Sequence, residues 1–82
     1  MFTVYVLFSK KYNKIYIGYT GNLESRLKSH NELATKGYTI KYRPWEVVFI
    51  EEFDTKGEAM KREKELKSSR GRNFIWNEII KK

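Results

Sequence analysis

The sequence predicts a small α/β (α+β) fold with the element order β-β-α-β-α-α, as a single domain over residues 1–82. Three observations predict it. Two β-rich runs stand close together at the start of the chain, separated by a short polar stretch. A third run follows the single proline, Pro44. The stretches after Asn22 and after Thr55 carry helix-start signals followed by apolar residues at helical spacing.

Residues 2–8 (Phe-Thr-Val-Tyr-Val-Leu-Phe) are β-branched and aromatic and read as the first strand. Residues 9–13 are polar and turn-like, and residues 14–19 alternate as the second strand of a hairpin. A hairpin centred on Lys10 and Lys11 sets Tyr5 opposite Tyr16, so that both phenols share a face; one residue of slip would separate them. Gly18 interrupts the second strand, where glycine marks a close approach of backbone or ligand. After a turn at Gly21 and Asn22, Asn22 serves as helix N-cap and Glu24 suits the positive helix start. Leu23, Leu27 and Ala34 form the apolar stripe, and Arg26 and His30, four residues apart, lie one above the other on a neighbouring face. Residues 35–43 read as a basic polar loop containing Gly37, and residues 45–53 as the third strand, ended by Asp54. Thr55-Lys56-Gly57-Glu58 is a capping-box pattern whose helix runs to about Ser69, with Gly71 as its C-terminal breaker. Phe74, Ile75, Trp76, Ile79 and Ile80 mark a short last helix.

Composition narrows the function classes. The core of so short a chain is thin, and thirteen aromatics (two Trp, six Tyr, five Phe) compensate because each buries a large area. The chain has no cysteine, so disulfide frameworks and thiolate zinc sites are excluded, and one histidine argues against a His-rich metal site. The apolar start is too short for a membrane span and lacks a signal-peptide pattern, which points to a soluble cytoplasmic protein with no membrane partner. Seventeen Lys and Arg against ten Asp and Glu leave a net charge of +7, a field that attracts polyanions.

Several residues depart from their local pattern. Glu63 falls on the stripe of Ala59 and Leu66, placing a carboxylate on or beside a buried face, where it needs a cation or strong donors. Either it makes a salt bridge, or a slightly rotated helix leaves it exposed, or it serves chemistry. Lys61, Arg62, Lys64 and Lys67 around it read as a solvated basic face. Tyr5, Tyr16, Arg26 and His30 are each ordinary when taken singly. Together with Glu63 they match the needs of phosphodiester cleavage: an activated water, a cation for the developing charge and help for the leaving oxygen. A Mg²⁺ ion prefers carboxylate and water oxygens, so Glu63 can hold it. Arg26 offers a planar fork of donors to a phosphate. A tyrosine beside a metal and an arginine is favoured as phenolate and can take a proton from water.

In these residues the chain resembles the GIY-YIG nuclease family, most closely its short stand-alone bacterial members. Val4-Tyr5-Val6 stands at the first motif, Tyr16-Ile17-Gly18 at the second, Arg26 and His30 on the first helix, and Glu63 on the second long helix. The resemblance implies a three-stranded antiparallel sheet flanked by helices and a metal-dependent DNA endonuclease of repair or recombination. By it, Glu63 is the metal ligand for Mg²⁺ or Mn²⁺, Arg26 the phosphate clamp, Tyr16 or Tyr5 the base or water-orienting phenol, and His30 an assisting donor or acid. Gly18 and Tyr19 join the site, and a late asparagine does so as well, with Asn77 the candidate and Asn73 the alternative. The expected partner is DNA, held mainly by its phosphates, with room for a protein partner in targeting. The rival readings are a non-catalytic nucleic-acid-binding module of the same fold, and a domain that binds a protein through exposed aromatics.

Overall fold

The computed structural model describes residues 1–33 and 38–81. Strands β1 (Phe2–Ser9) and β2 (Lys14–Thr20) form an antiparallel hairpin. Strand β3 (Glu46–Phe53) pairs antiparallel with the other side of β1, giving one three-stranded sheet in the order β2-β1-β3. Helix α1 (Leu23–Lys28) runs on into a wider π-type turn over Ser29–Leu33, and α2 (Tyr38–Lys41) is a single turn. After β3 come α3 (Lys56–Lys67) and α4 (Ser69–Phe74), the latter continuing in π-type turns over Ile75–Ile80. This is the expected α+β order. Among the described residues no helix is long and apolar enough to cross a membrane.

Burial explains why the first strand does not alternate. β1 is the central strand, and Val4, Tyr5, Val6 and Leu7 are all buried. A continuous apolar run is what a strand covered on both faces requires. Val4 and Val6 pack with Ile17 of β2, Ala59 and Leu66 of α3, and Ile75 of the last helix. Tyr5 and Leu7 point the other way, into Trp45, Tyr16, Leu23, Leu27 and Tyr42. Thus α1 covers one face of the sheet, and α3 with the last helix covers the other. A bulge shifts the β1–β3 register between Val6, opposite Phe49, and Leu7, opposite Val47.

The hairpin differs from the expected register. Tyr5 stands opposite Gly18, and Tyr16 opposite Leu7. The turn occupies residues 10–13 and closes with Asn13 at φ 56°, the left-handed conformation that asparagine tolerates. Its centre lies one residue beyond Lys10–Lys11, which moves every cross-strand partner by two. Because strand faces alternate with period two, both tyrosines keep the same face. Their rings lie stacked, with centroids 6.3 Å apart.

Three boundaries also move. Trp45 is not in the third strand but is buried just before it, its Nε1 donating to the Thr39 carbonyl at 2.8 Å. The loop expected over 35–43 contains α2, while Ala34 and residues 35–37 lie outside the described residues. Gly71 does not break the second long helix. Ser68 does: its N–H and hydroxyl both donate to the Glu65 carbonyl, closing α3, and its Oγ accepts from the Gly71 N–H at 3.2 Å, opening α4. Gly71 instead lies inside α4, against the last turn of α3. A Cβ built there would fall 2.5 Å from Leu66 Cα, so only glycine allows the two helices to meet so closely.

Candidate active site

The cleft that gathers the candidate residues exists because β2 has a gap at Gly18. A Cβ at that position would stand 2.7 Å from Tyr5 Oη and 3.2 Å from Tyr16 Cε1. The Tyr5 ring therefore crosses the β2 backbone, and a side chain of the central strand reaches the sheet's edge. There it meets a cleft of about 490 Å³ lined from the sheet by Phe2, Tyr5, Tyr16, Gly18, Tyr19 and Thr20, from α1 by Arg26, and from α3 by Lys56 and Glu63. Helices α1 and α3 lie on opposite faces, so a cleft lined by both must follow the free edge of β2.

Local signals aim the helices at it. Thr20 Oγ1 accepts from the Asn22 N–H at 3.1 Å, and Asn22 Oδ1 accepts from the Ser25 N–H at 3.0 Å, which fixes the start of α1 one turn before Arg26. Thr55 caps α3, its Oγ1 accepting from the Glu58 N–H at 3.2 Å. Lys56 and Glu63, seven residues apart, then share one face of that helix.

Behind the cleft lies a buried pair. Tyr5 Oη and His30 Nε2 are 3.0 Å apart, and His30 is buried beneath the phenol and is not among the cleft-lining residues. Burial pushes the Tyr5 phenol up to about 12; neighbouring Tyr16 adds to this, and the charge and donors of Arg26 offset part of it. Burial lowers the His30 pKa, and the charges of Arg26 and Arg43 lower it further. Both rings are thus neutral at neutral pH. In the Nδ1–H tautomer the phenol donates to His30, and its oxygen faces the charge of Arg26.

The segment carrying His30 is wired to the chain before β3. Arg43 donates from Nε to the His30 carbonyl at 2.6 Å and from Nη2 to the Ser29 carbonyl at 3.2 Å. Asn31 and Trp45 bond reciprocally: the Trp45 N–H donates to Asn31 Oδ1 at 2.6 Å, and Asn31 Nδ2 donates to the Trp45 carbonyl at 3.0 Å. Sequence reading found His30 but not the residues that hold it.

The lowered His30 pKa has a signed consequence. Below its unfolded pKa of about 6.5 the unfolded chain binds a proton that the folded chain refuses, so this contribution is present above that pH and is lost as pH falls. Tyr5, Arg26 and Arg43 face the ring, and none of them offers it a negative charge at neutral pH. The melting temperature should therefore decline from about pH 6.5 downwards, and more so than in His30→Gln, which has no ring to charge. Parallel melting curves from about pH 5 to pH 8 check this; a pH-independent difference would mean that the ring titrates freely.

Glu63 sits at the rim of the α3 stripe, between buried Ala59 and Leu66, and is 18% exposed. Its Oε1 lies 3.3 Å from Lys67 Nζ, which is the ion pair the sequence allows, and the same carboxylate lines the cleft. The basic residues around it are not a uniformly solvated face. Arg62 is half-buried and donates from Nε to Glu51 of β3 at 2.6 Å, while Lys67 pairs with Glu63. Among the described residues no group of three or more His, Cys, Asp or Glu side chains stands together.

Tyr5, Tyr16, Gly18, Tyr19, Arg26 and Glu63 are brought together, and His30 joins them through Tyr5. Asn77 and Asn73 are exposed on the last helix and are not among the residues lining the cleft. Sequence reading did not single out Phe2, Thr20 and Lys56. For Lys56 the seven-residue spacing to Glu63 was the available signal.

Comparison with known proteins agrees with this geometry. A family model described as the GIY-YIG catalytic domain matches residues 1–77. A UPF0213 protein of Staphylococcus haemolyticus is 43% identical over 65 residues, covering 79% of this chain and 78% of the relative. The UPF0213 protein YazA of Bacillus subtilis is 47% identical over 53 residues, 65% of this chain and 54% of the relative. A UPF0213 protein of Natronomonas pharaonis is 45% identical over 65 residues, 79% of this chain and 75% of the relative. With Tyr5, Tyr16, Gly18, Arg26 and Glu63 on one cleft and the match spanning nearly all of the sequence, the chain belongs to the GIY-YIG family, whose members are generally nucleases.

Proposed function

We propose that this chain is a Mg²⁺- or Mn²⁺-dependent endonuclease that hydrolyses DNA phosphodiester bonds, selecting its substrate by structure in repair or recombination. The observation that carries the reading is the shared cleft: an arginine from α1, a carboxylate from α3 and phenols from two strands converge on one polar space at the sheet edge.

Glu63 is the residue that would hold the ion. A lone carboxylate in an open cleft fits Mg²⁺, which keeps several waters and is commonly bound by one or two carboxylates together with substrate phosphate. When bound, the ion supplies charge stabilisation and a more acidic water. Arg26, exposed at the mouth, clamps the phosphate through its two-pronged donors. Tyr5 holds its proton at neutral pH and so donates or positions; Tyr16, which lines the cleft beside it, orients the attacking water. His30 fixes the Tyr5 hydroxyl from behind.

The decisive assay is a cleavage screen over branched, nicked, single-stranded and duplex DNA with Mg²⁺ or Mn²⁺, beside an EDTA control. Binding without cleavage under every condition would instead identify a non-catalytic binding module. Within that assay Arg26→Lys keeps the charge and loses the fork. It should lower cleavage about 100-fold or more, with folding and DNA binding nearly kept. A lysine variant that cuts like wild type would remove Arg26 from the site.

A further inference from the structure

Beside the cleft, on the same edge of β2, lies a second concavity of about 290 Å³ lined by Ile15, Tyr16, Ile17, Lys67 and Arg72. Tyr16 lines both spaces, so the two adjoin at that residue of the strand. The cleft presents Arg26 and Lys56, and the second space presents two further cations from α3 and α4. A stripe of positive charge on an open edge suits a phosphodiester backbone.

We infer that Lys67 and Arg72 form a phosphate subsite for the nucleotides flanking the scissile bond, and that Lys67 exchanges Glu63 for that phosphate when the strand binds. The inference rests on the proposed function for the role of Glu63. Lys67 stands one helical turn past Glu63, about 6 Å along α3. Duplex DNA rises about 3.4 Å per nucleotide along each strand, so a phosphate one or two nucleotides from the cleft reaches Lys67. The bond that Lys67 must leave is weak. It is an i,i+4 pair whose lysine is 53% exposed, the kind of contact that contributes little in water. The ammonium's flexible stem lets it swing from the carboxylate to a phosphate oxygen. Before the strand arrives Lys67 occupies the carboxylate that the proposed metal needs; afterwards the carboxylate is released and the lysine's charge neutralises substrate. Metal loading and substrate binding then favour each other, as linkage requires.

Two measurements test this on the full chain. The first is the salt dependence of binding to a short DNA duplex in EDTA. Lys67→Ala and Arg72→Ala should each reduce the slope of log affinity against log salt by about one. Lys64→Ala removes the same charge from the same helix but lies away from the β2 edge, on the groove between α3 and α4, and should leave the slope unchanged. Wild-type slopes in Lys67→Ala and Arg72→Ala, or an equal loss in Lys64→Ala, would overturn the subsite.

The second is Mn²⁺ binding without DNA, read from the paramagnetic resonance signal of the free ion. Lys67→Ala should bind Mn²⁺ about twofold more tightly than Lys64→Ala, the factor that corresponds to an exposed i,i+4 pair. Equal affinities would overturn the exchange. If Glu63→Gln holds Mn²⁺ as wild type does, the assignment of Glu63 as metal ligand fails, and with it the exchange. The salt slopes still decide the phosphate subsite on their own.

Discussion

Glu63→Gln should abolish metal-dependent cleavage while moving the melting temperature in EDTA by no more than about 4 °C. The change keeps shape and removes charge. A ligand held by one carboxylate loses its anchor, so the loss should exceed the roughly 100-fold that follows removal of a ligand's outer-shell partner. Stability is expected to stay because Lys67 is more than half exposed and turns to water when its partner is gone. An exposed i,i+4 pair contributes about 0.3–0.5 kcal/mol, and about 1 kcal/mol moves the melting point of a domain this size by roughly 4–8 °C. Were the pair buried and structural, the loss would be about 3–5 kcal/mol and the melting point would drop by more than about 10 °C. Cleavage assays and melting curves on one preparation separate the cases. A variant that still cuts, or one that melts far lower, would show that Glu63 is not the metal ligand.

Among the glycines of the described residues, Gly71→Ala should be the most destabilising change. The new Cβ meets backbone, 2.5 Å from Leu66 Cα and 2.6 Å from its carbonyl carbon, and backbone cannot rotate away as a side chain does. Alanine gains up to about 1 kcal/mol over glycine in a helix interior, but overpacking of this kind costs about 1–3 kcal/mol or more, and here α4 must separate from α3 to relieve it. A net loss of about 2 kcal/mol should lower the melting temperature by roughly 8–16 °C. Gly57→Ala is the internal control: nothing lies within 4 Å of its Cβ in the first turn of α3, so that variant should melt at or slightly above wild type. Equal behaviour of the two alanines would mean that α3 and α4 do not touch at Gly71.

The strands and the helix starts were legible because their signals are local: the apolar run of β1, the alternation of β2, and the caps Asn22 and Thr55. The two-residue error in register came from the turn, whose position depends on which residue takes the left-handed conformation; Asn13 carried that information and was read as one turn residue among several. The facing of Tyr5 and Tyr16 survived because faces depend on parity alone. Gly71 was misread because a glycine near a helix end has two uses, a breaker and a close contact, and only the tertiary neighbour decides between them. Glu63 was legible as an exception to its stripe, but its partner Lys67 was not, since a basic residue at i+4 on a basic helix carries no distinguishing mark. Arg43 and Asn31 act on backbone of distant segments, and no spacing in the sequence announces that.

The position of β1 between its two neighbours also orders events at the ribosome. β2 follows β1 at once, so the hairpin can close early, whereas β3 is complete only after roughly thirty further residues, about 1.5–6 s later at ordinary elongation rates. During that interval one side of Val4-Tyr5-Val6-Leu7-Phe8 has no partner strand. It is an open, uncharged β-edge of the kind that recruits other nascent chains. A chain stalled before Phe53 would carry that edge permanently, which makes truncated products of this sequence candidates for co-aggregation and for capture by chaperones that bind extended apolar segments.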